Sequence, residues 1–99
     1  MNNLKFYERS IALRNKYSNE KDDEKFLVLQ QLVDIAFKSN DALPVNFNIL
    51  FPGYLLSQNT SWLRTKVFDV VHDLGYKNCE VSDSYFYNTY TCFSIYIKL

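Results

Sequence analysis

The only histidine of this 99-residue chain, His72, stands beside Asp73 and one turn after Asp69. A histidine–carboxylate pair can orient a general base when a nucleophile or substrate site lies within hydrogen-bond reach. Residues three or four apart share a helix face, so Asp69 rather than Asp73 is the acid placed to meet the imidazole. Nothing nearby in sequence supplies the nucleophile, and the plainer reading is a surface histidine on an amphipathic helix. Cys79 and Cys92 match no zinc-ligand spacing and are too few for a disulfide framework. The acids Glu20, Asp22, Asp23 and Glu24 lack the spaced ligands and central glycine of a calcium loop, and Lys21 and Lys25 dilute their charge. Gly53 and Gly75 are the only glycines, which rules out a glycine-rich phosphate loop. No serine or threonine sits in a nucleophile-elbow context. The sequence therefore reads as non-enzymatic, with no metal site and no cofactor.

The elements that must position these residues follow from periodicity. Residues 3–17 read as a first helix, with Leu4, Tyr7 and Ile11 on one face, Phe6 and Leu13 beside them, and Lys5, Arg9 and Lys16 on the polar side. A second helix is predicted over 20–39. Its acidic start complements the helix dipole, and Val28, Leu29, Leu32, Val33, Ile35, Ala36 and Phe37 give an apolar surface wide enough to be covered on more than one side. Residues 45–49 alternate as a strand, and Phe51-Pro52-Gly53-Tyr54 is turn chemistry, with Leu55 and Leu56 in a short helical turn. A third helix is expected over 60–74, capped by Thr60 or Ser61, buried through Leu63, Val67, Val70 and Leu74, and closed by Gly75 in a left-handed C-cap.

From Tyr76 onward the pattern has period two. Phe93, Ile95, Ile97 and Leu99 alternate with Cys92, Ser94, Tyr96 and Lys98, with residues 77–82 as the partner strand. This register makes Cys79 and Val81 core-facing and turns Cys92 the other way, so the two thiols lie on different faces. Residues 83–89 contain no glycine to identify the turn. The expected fold is α+β: two N-terminal helices, a short strand, a third helix and a C-terminal antiparallel β-hairpin, forming a single domain over residues 1–99.

Apolar residues make up 47% of the chain and charged residues 22%, with eleven basic against eleven acidic side chains. These are the proportions of a globular chain, and they lack the overall basic field of a general nucleic-acid binder. The N-terminus lacks the pattern of a signal peptide, and no apolar run approaches the roughly 20 residues that span a bilayer. The expected compartment is the cytoplasm. Abundant Asn, Lys, Tyr and Phe with few Ala and Gly matches the coding bias of an AT-rich genome such as that of a low-GC bacterium or its phage.

Two binding readings remain. Tyr76, Tyr85, Phe86, Tyr87, Tyr90, Phe93 and Tyr96 crowd the C-terminal segment, and an alternating strand buries only one face in so thin a domain. Exposed rings among Tyr85, Phe86, Tyr87 and Tyr90, joined by Trp62, would anchor a protein partner. The terminal strand could also pair with its own copy to give a homodimer. The function expected first is a small regulator or inhibitor, of phage or mobile-element type, that acts by occupying a partner protein. The second reading is nucleic-acid binding. The stretch Leu56-Ser57-Gln58-Asn59-Thr60-Ser61-Trp62-Leu63-Arg64-Thr65-Lys66, followed by Leu74-Gly75-Tyr76, resembles the recognition helix and wing of winged-helix proteins. That resemblance implies a DNA-reading surface of Asn59, Thr60, Ser61, Arg64, Thr65 and Lys66, with Lys77 opening the wing. Against it, Pro52-Gly53 shortens the preceding helix and Asp69 and Asp73 offset the basic charge.

Overall fold

The chain runs α1 (Phe6–Glu20), α2 (Asp23–Lys38), β1 (Val45–Pro52), α3 (Ser61–Asp73), β2 (Asn78–Val81), β3 (Tyr85–Tyr87) and β4 (Tyr90–Lys98). The computed structural model describes residues 5–52, 61–76 and 78–98. The expected helical turn at Leu55 and Leu56 therefore lies outside the described residues, as do Leu4, Asn59, Thr60, Lys77 and Leu99. Three helices and an antiparallel four-stranded sheet make an α+β fold, as the periodicity predicts.

α1 and α2 form a tight helical hairpin. Lys21 ends α1 in the left-handed region at φ 58, and Asp22 then caps α2 by accepting the Lys25 N–H at 3.2 Å. The buried stripe of α1 is Phe6, Ser10, Leu13 and Tyr17, not the expected Tyr7 and Ile11; Tyr7 is exposed. Ser10 is tolerated in that stripe because its hydroxyl donates to the Phe6 carbonyl. α2 contacts α1, α3 and β1, so its broad apolar surface is covered on more than one side, although Phe37 stays 74% exposed. Arg9 does not remain on a free basic side. Its Nη1 donates to the Leu74 carbonyl at 2.5 Å and its guanidinium stacks on Tyr76, tying α1 to the end of α3. Gly75 closes α3 at φ 88, and a Cβ there would come within 2.8 Å of Arg9 Nη1. The backbone conformation calls for glycine, while the approach is to the tip of a flexible side chain that could shift.

The sheet order is β1-β4-β2, with β3 also on β4. The C-terminal strand is therefore central. β1 pairs with it over Val45↔Ile97 to Pro52↔Tyr90, while β2 (Asn78↔Lys98) and β3 (Tyr85↔Cys92) occupy its other side end to end. Homodimerisation through the terminal strand, one route expected from the sequence, is thus closed, because both its edges are filled. β1 is longer than expected. Residues 83–89 hold a third strand of the hairpin, and Asn88 supplies the positive φ of 55 that its two-residue turn needs in place of glycine.

Odd-numbered residues of β1 and β4 face the helices. Ile49, Phe51, Phe93, Ile95 and Ile97 meet Val28, Leu29, Leu32, Leu63, Val67 and Val70 in one buried cluster. Cys79 and Val81 join this side, as the alternation requires.

A polar cluster locks the three helices together. Lys66 of α3 donates to Asp22 at 2.9 Å and to Glu24 at 3.2 Å, and Lys25 lies 3.9 Å from Asp69. The Tyr17 hydroxyl donates to the Asp73 carboxylate, and burial together with that carboxylate pushes the phenol up. Burial works against ionised Asp22, but the Lys66 hydrogen bond and the Lys25 N–H outweigh it and hold the carboxyl below its ordinary value. Asp22, Glu24 and Lys66 are only 21–26% exposed, so this group is screened less than a surface pair. A depressed carboxyl stabilises the fold above its unfolded pKa of about 3.9, and that stabilisation is lost as the pH falls. Asp22→Asn keeps a capping side chain but loses the ion pair. It is expected to cost about 1–3 kcal/mol at pH 7 in urea unfolding. The gap between wild type and variant should narrow as the pH is lowered from 6 to 3.

Candidate functional site

Because the helices occupy one face of the sheet, the even-numbered residues of β1 and β4 look outward. Across that face stand Asn46, Asn48 and Leu50 of β1, Tyr96, Ser94, Cys92 and Tyr90 of β4, Glu80 of β2, and Tyr85 and Tyr87 of β3. The small residues Ser94 and Cys92 lie between larger ones, so the middle of the face is a trough. At its aromatic end Asn48, Leu50, Tyr85, Tyr87 and Cys92 enclose a depression of about 290 Å³. Toward the other end a shallower one of about 220 Å³ lies between Asn46, Glu80, Ser94 and Tyr96. The Ser94 hydroxyl donates to Asn48 Oδ1 at 3.0 Å and so bridges β4 to β1 across the trough.

The aromatic residues singled out in the sequence divide among three places. Tyr85 and Tyr87 project from the outer face, and Tyr90 pairs with Tyr87 beside them, half-buried. Phe86 falls on the opposite side of the same short strand, next to Thr91, yet remains 59% exposed. Trp62 does not join them. It sits in the helical layer at the start of α3, with Lys66 Nζ 5.5 Å from its ring centre. Two further exposed aromatic contacts lie apart from the trough: Tyr7 with Phe37, and Phe68 with His72.

The residues of the nucleic-acid reading that are described lie on or near α3. Ser61 and Thr65 are exposed, and the Thr65 hydroxyl donates back to the Ser61 carbonyl. Arg64 donates to the carbonyls of Val81 and Ser82 at 2.8 and 3.1 Å, holding α3 to the end of β2. Lys66 is bound to Asp22 and Glu24. Both basic groups thus serve internal contacts.

His72 is exposed, its ring 4.6 Å from that of Phe68, while Asp69 turns toward Lys25. No group of three or more His, Cys, Asp and Glu side chains is gathered for a metal among the described residues. Both cysteines are free thiols, and burial pushes each above its ordinary value. Such thiols are poor nucleophiles. Among the described residues, no helix is long and apolar enough to cross a membrane.

Sequence reasoning missed Cys92, Leu50 and Asn48 as parts of the trough. Their even spacing against Phe93, Ile49 and Phe51 is the signal that could have found them. No family model matches the chain, and no similar curated protein or solved structure is found.

Cys92 is 1% exposed although it lies on the outer face, because Tyr85, its direct cross-strand neighbour, helps to enclose it. In a Cys79→Ser background the native protein should therefore react very slowly with a thiol reagent, and Tyr85→Ala should accelerate Cys92 labelling several-fold. An unchanged rate would show that Tyr85 does not cover the thiol.

Proposed function

We propose that this protein is a non-enzymatic binding protein that occupies a protein partner through the open, aromatic end of its sheet. The observation that carries the reading is the exposure of Tyr85 and Tyr87 beside a largely apolar depression of the outer face, with Phe86 exposed on the other side of the same three-residue strand. Tyr and Phe bring large apolar area with few rotatable bonds, so fixing them on binding costs little entropy. Their strand is paired along its whole length to a central strand whose far side is filled by β1. Tyrosine hydroxyls at the margin can satisfy polar groups of a partner while the rings exclude water. A regulator or inhibitor that works by covering another protein's surface needs no more chemistry than this.

The test begins with capture of partners from a host lysate on the immobilised chain, followed by measurement of the recovered partner's affinity. Tyr85→Ala/Tyr87→Ala should weaken binding by at least about tenfold while the thermal unfolding transition is retained. Phe68→Ala, in the helical layer, should leave the affinity unchanged. Equal affinity for wild type and the double tyrosine variant would overturn the reading. A labelled DNA duplex titrated at low salt separates the alternative, since a phosphate-contacting surface gives affinity that falls steeply with added salt. With Arg64 and Lys66 held in internal contacts, the expected curve is flat.

A further inference from the structure

The antiparallel ladder gives each residue of β1 either an inward or an outward pair of backbone groups. The Leu50 N–H and C=O bond the Gln31 side chain of α2, each at 2.9 Å, and so point away from β4. By the period of two, the N–H and C=O of Asn46 and Asn48 point the same way. No described group bonds to either N–H. Among the described residues, the outer edge of β1 is therefore sealed at its C-terminal half alone, by Gln31 at Leu50 and by Pro52, which has no N–H to offer. At its N-terminal half no group among the described residues bonds to it.

Two more observations mark that half as unfinished. β1, with the sequence VNFNILFP, carries no charged residue, whereas edge strands are ordinarily protected by charge, proline or a bulge. Val45 and Phe47 also face the core side but stay half-buried, while Ile49 and Phe51 on the same side are fully buried.

We infer that the open half of β1 pairs antiparallel with β1 of a second copy of this chain, about a two-fold axis at Phe47. The occupant is a second copy because the segment is self-complementary. With Phe47 opposite Phe47 of the second copy, Asn46 falls opposite Asn48 of the second copy and Asn48 opposite Asn46. Both are the residues whose backbone groups point outward, so each pair exchanges two N–H···O=C bonds. On the outer face the asparagine amides meet side chain to side chain, and on the core side the two Phe47 rings cover each other's exposed edges. Pairing stops where it must, since the next pair would set Leu50, already bonded to Gln31, against Pro44. Neither copy opposes the other electrostatically, because this segment is uncharged and the chain's formal charge is zero. The two sheets become one, with both aromatic trough ends at its far extremes and still accessible. This pairing does not depend on what those troughs bind.

Sedimentation velocity over a concentration series, with the full chain, tests the inference. Wild type is expected to show a reversible monomer–dimer equilibrium. Asn46→Lys/Asn48→Lys sets lysine opposite lysine in both pairs and should abolish the dimer. Asn46→Lys/Asn48→Asp sets lysine opposite aspartate and should restore it, and Tyr85→Ala/Tyr87→Ala should leave it intact. Circular dichroism confirms that the variants, all at exposed positions, remain folded. A wild type that stays monomeric at every concentration overturns the pairing. So does a Lys/Lys variant that dimerises as well as wild type, or a folded Lys/Asp variant that remains as monomeric as Lys/Lys.

Discussion

β4 bonds to β1 through the backbone of its odd-numbered residues and to β2 and β3 through that of its even-numbered ones, and the same alternation sorts its side chains. Phe93, Ile95 and Ile97 meet the helices; Cys92, Ser94 and Tyr96 form the middle of the outer trough. One nine-residue strand thus sets the core, the sheet order and the floor of the candidate site together. A change on one side of it reaches the other only through the backbone.

The helices are held on their side by two different kinds of contact. Apolar burial between α2, α3 and the sheet supplies most of the driving force, while the polar cluster of Asp22, Glu24, Lys66, Lys25 and Asp69 fixes how the helices meet. Tyr17 combines both, with its ring in the core and its hydroxyl on Asp73. Such charges raise stability only while both partners are ionised, so they act as an alignment device across the neutral pH range. They also account for Lys66 of α3, which the sequence alone leaves free to be read as part of a binding surface.

Local signals in the sequence carried far. α2 and α3, the left-handed cap at Gly75 and the opposed faces of Cys79 and Cys92 are all legible from period and spacing. The facing of the first helix is not legible locally, because Tyr7 and Tyr17 are chemically identical and contacts distant in sequence, such as the Asp73 carboxylate that accepts from the Tyr17 hydroxyl, distinguish them. β3 was hidden because its turn uses Asn88 where a glycine would have announced it. That the last strand is central, and that β1 is an edge, depends on contacts far apart in sequence, which no window of periodicity contains. The two outer depressions share this cause: each draws lining residues from at least two strands.

Gln31 holds one further meaning. Its amide donates to and accepts from the same residue, Leu50, as a neighbouring strand would. A side chain fixed on a helix can do this at only one position along β1. If β1 slipped by a single residue, Gln31 would face backbone groups directed at β4, and the asparagines would be driven inward, into the places of Phe47 and either Val45 or Ile49. The helix thereby checks the alignment of a strand it precedes in the chain, and misaligned forms are penalised twice, once in hydrogen bonds and once in burial.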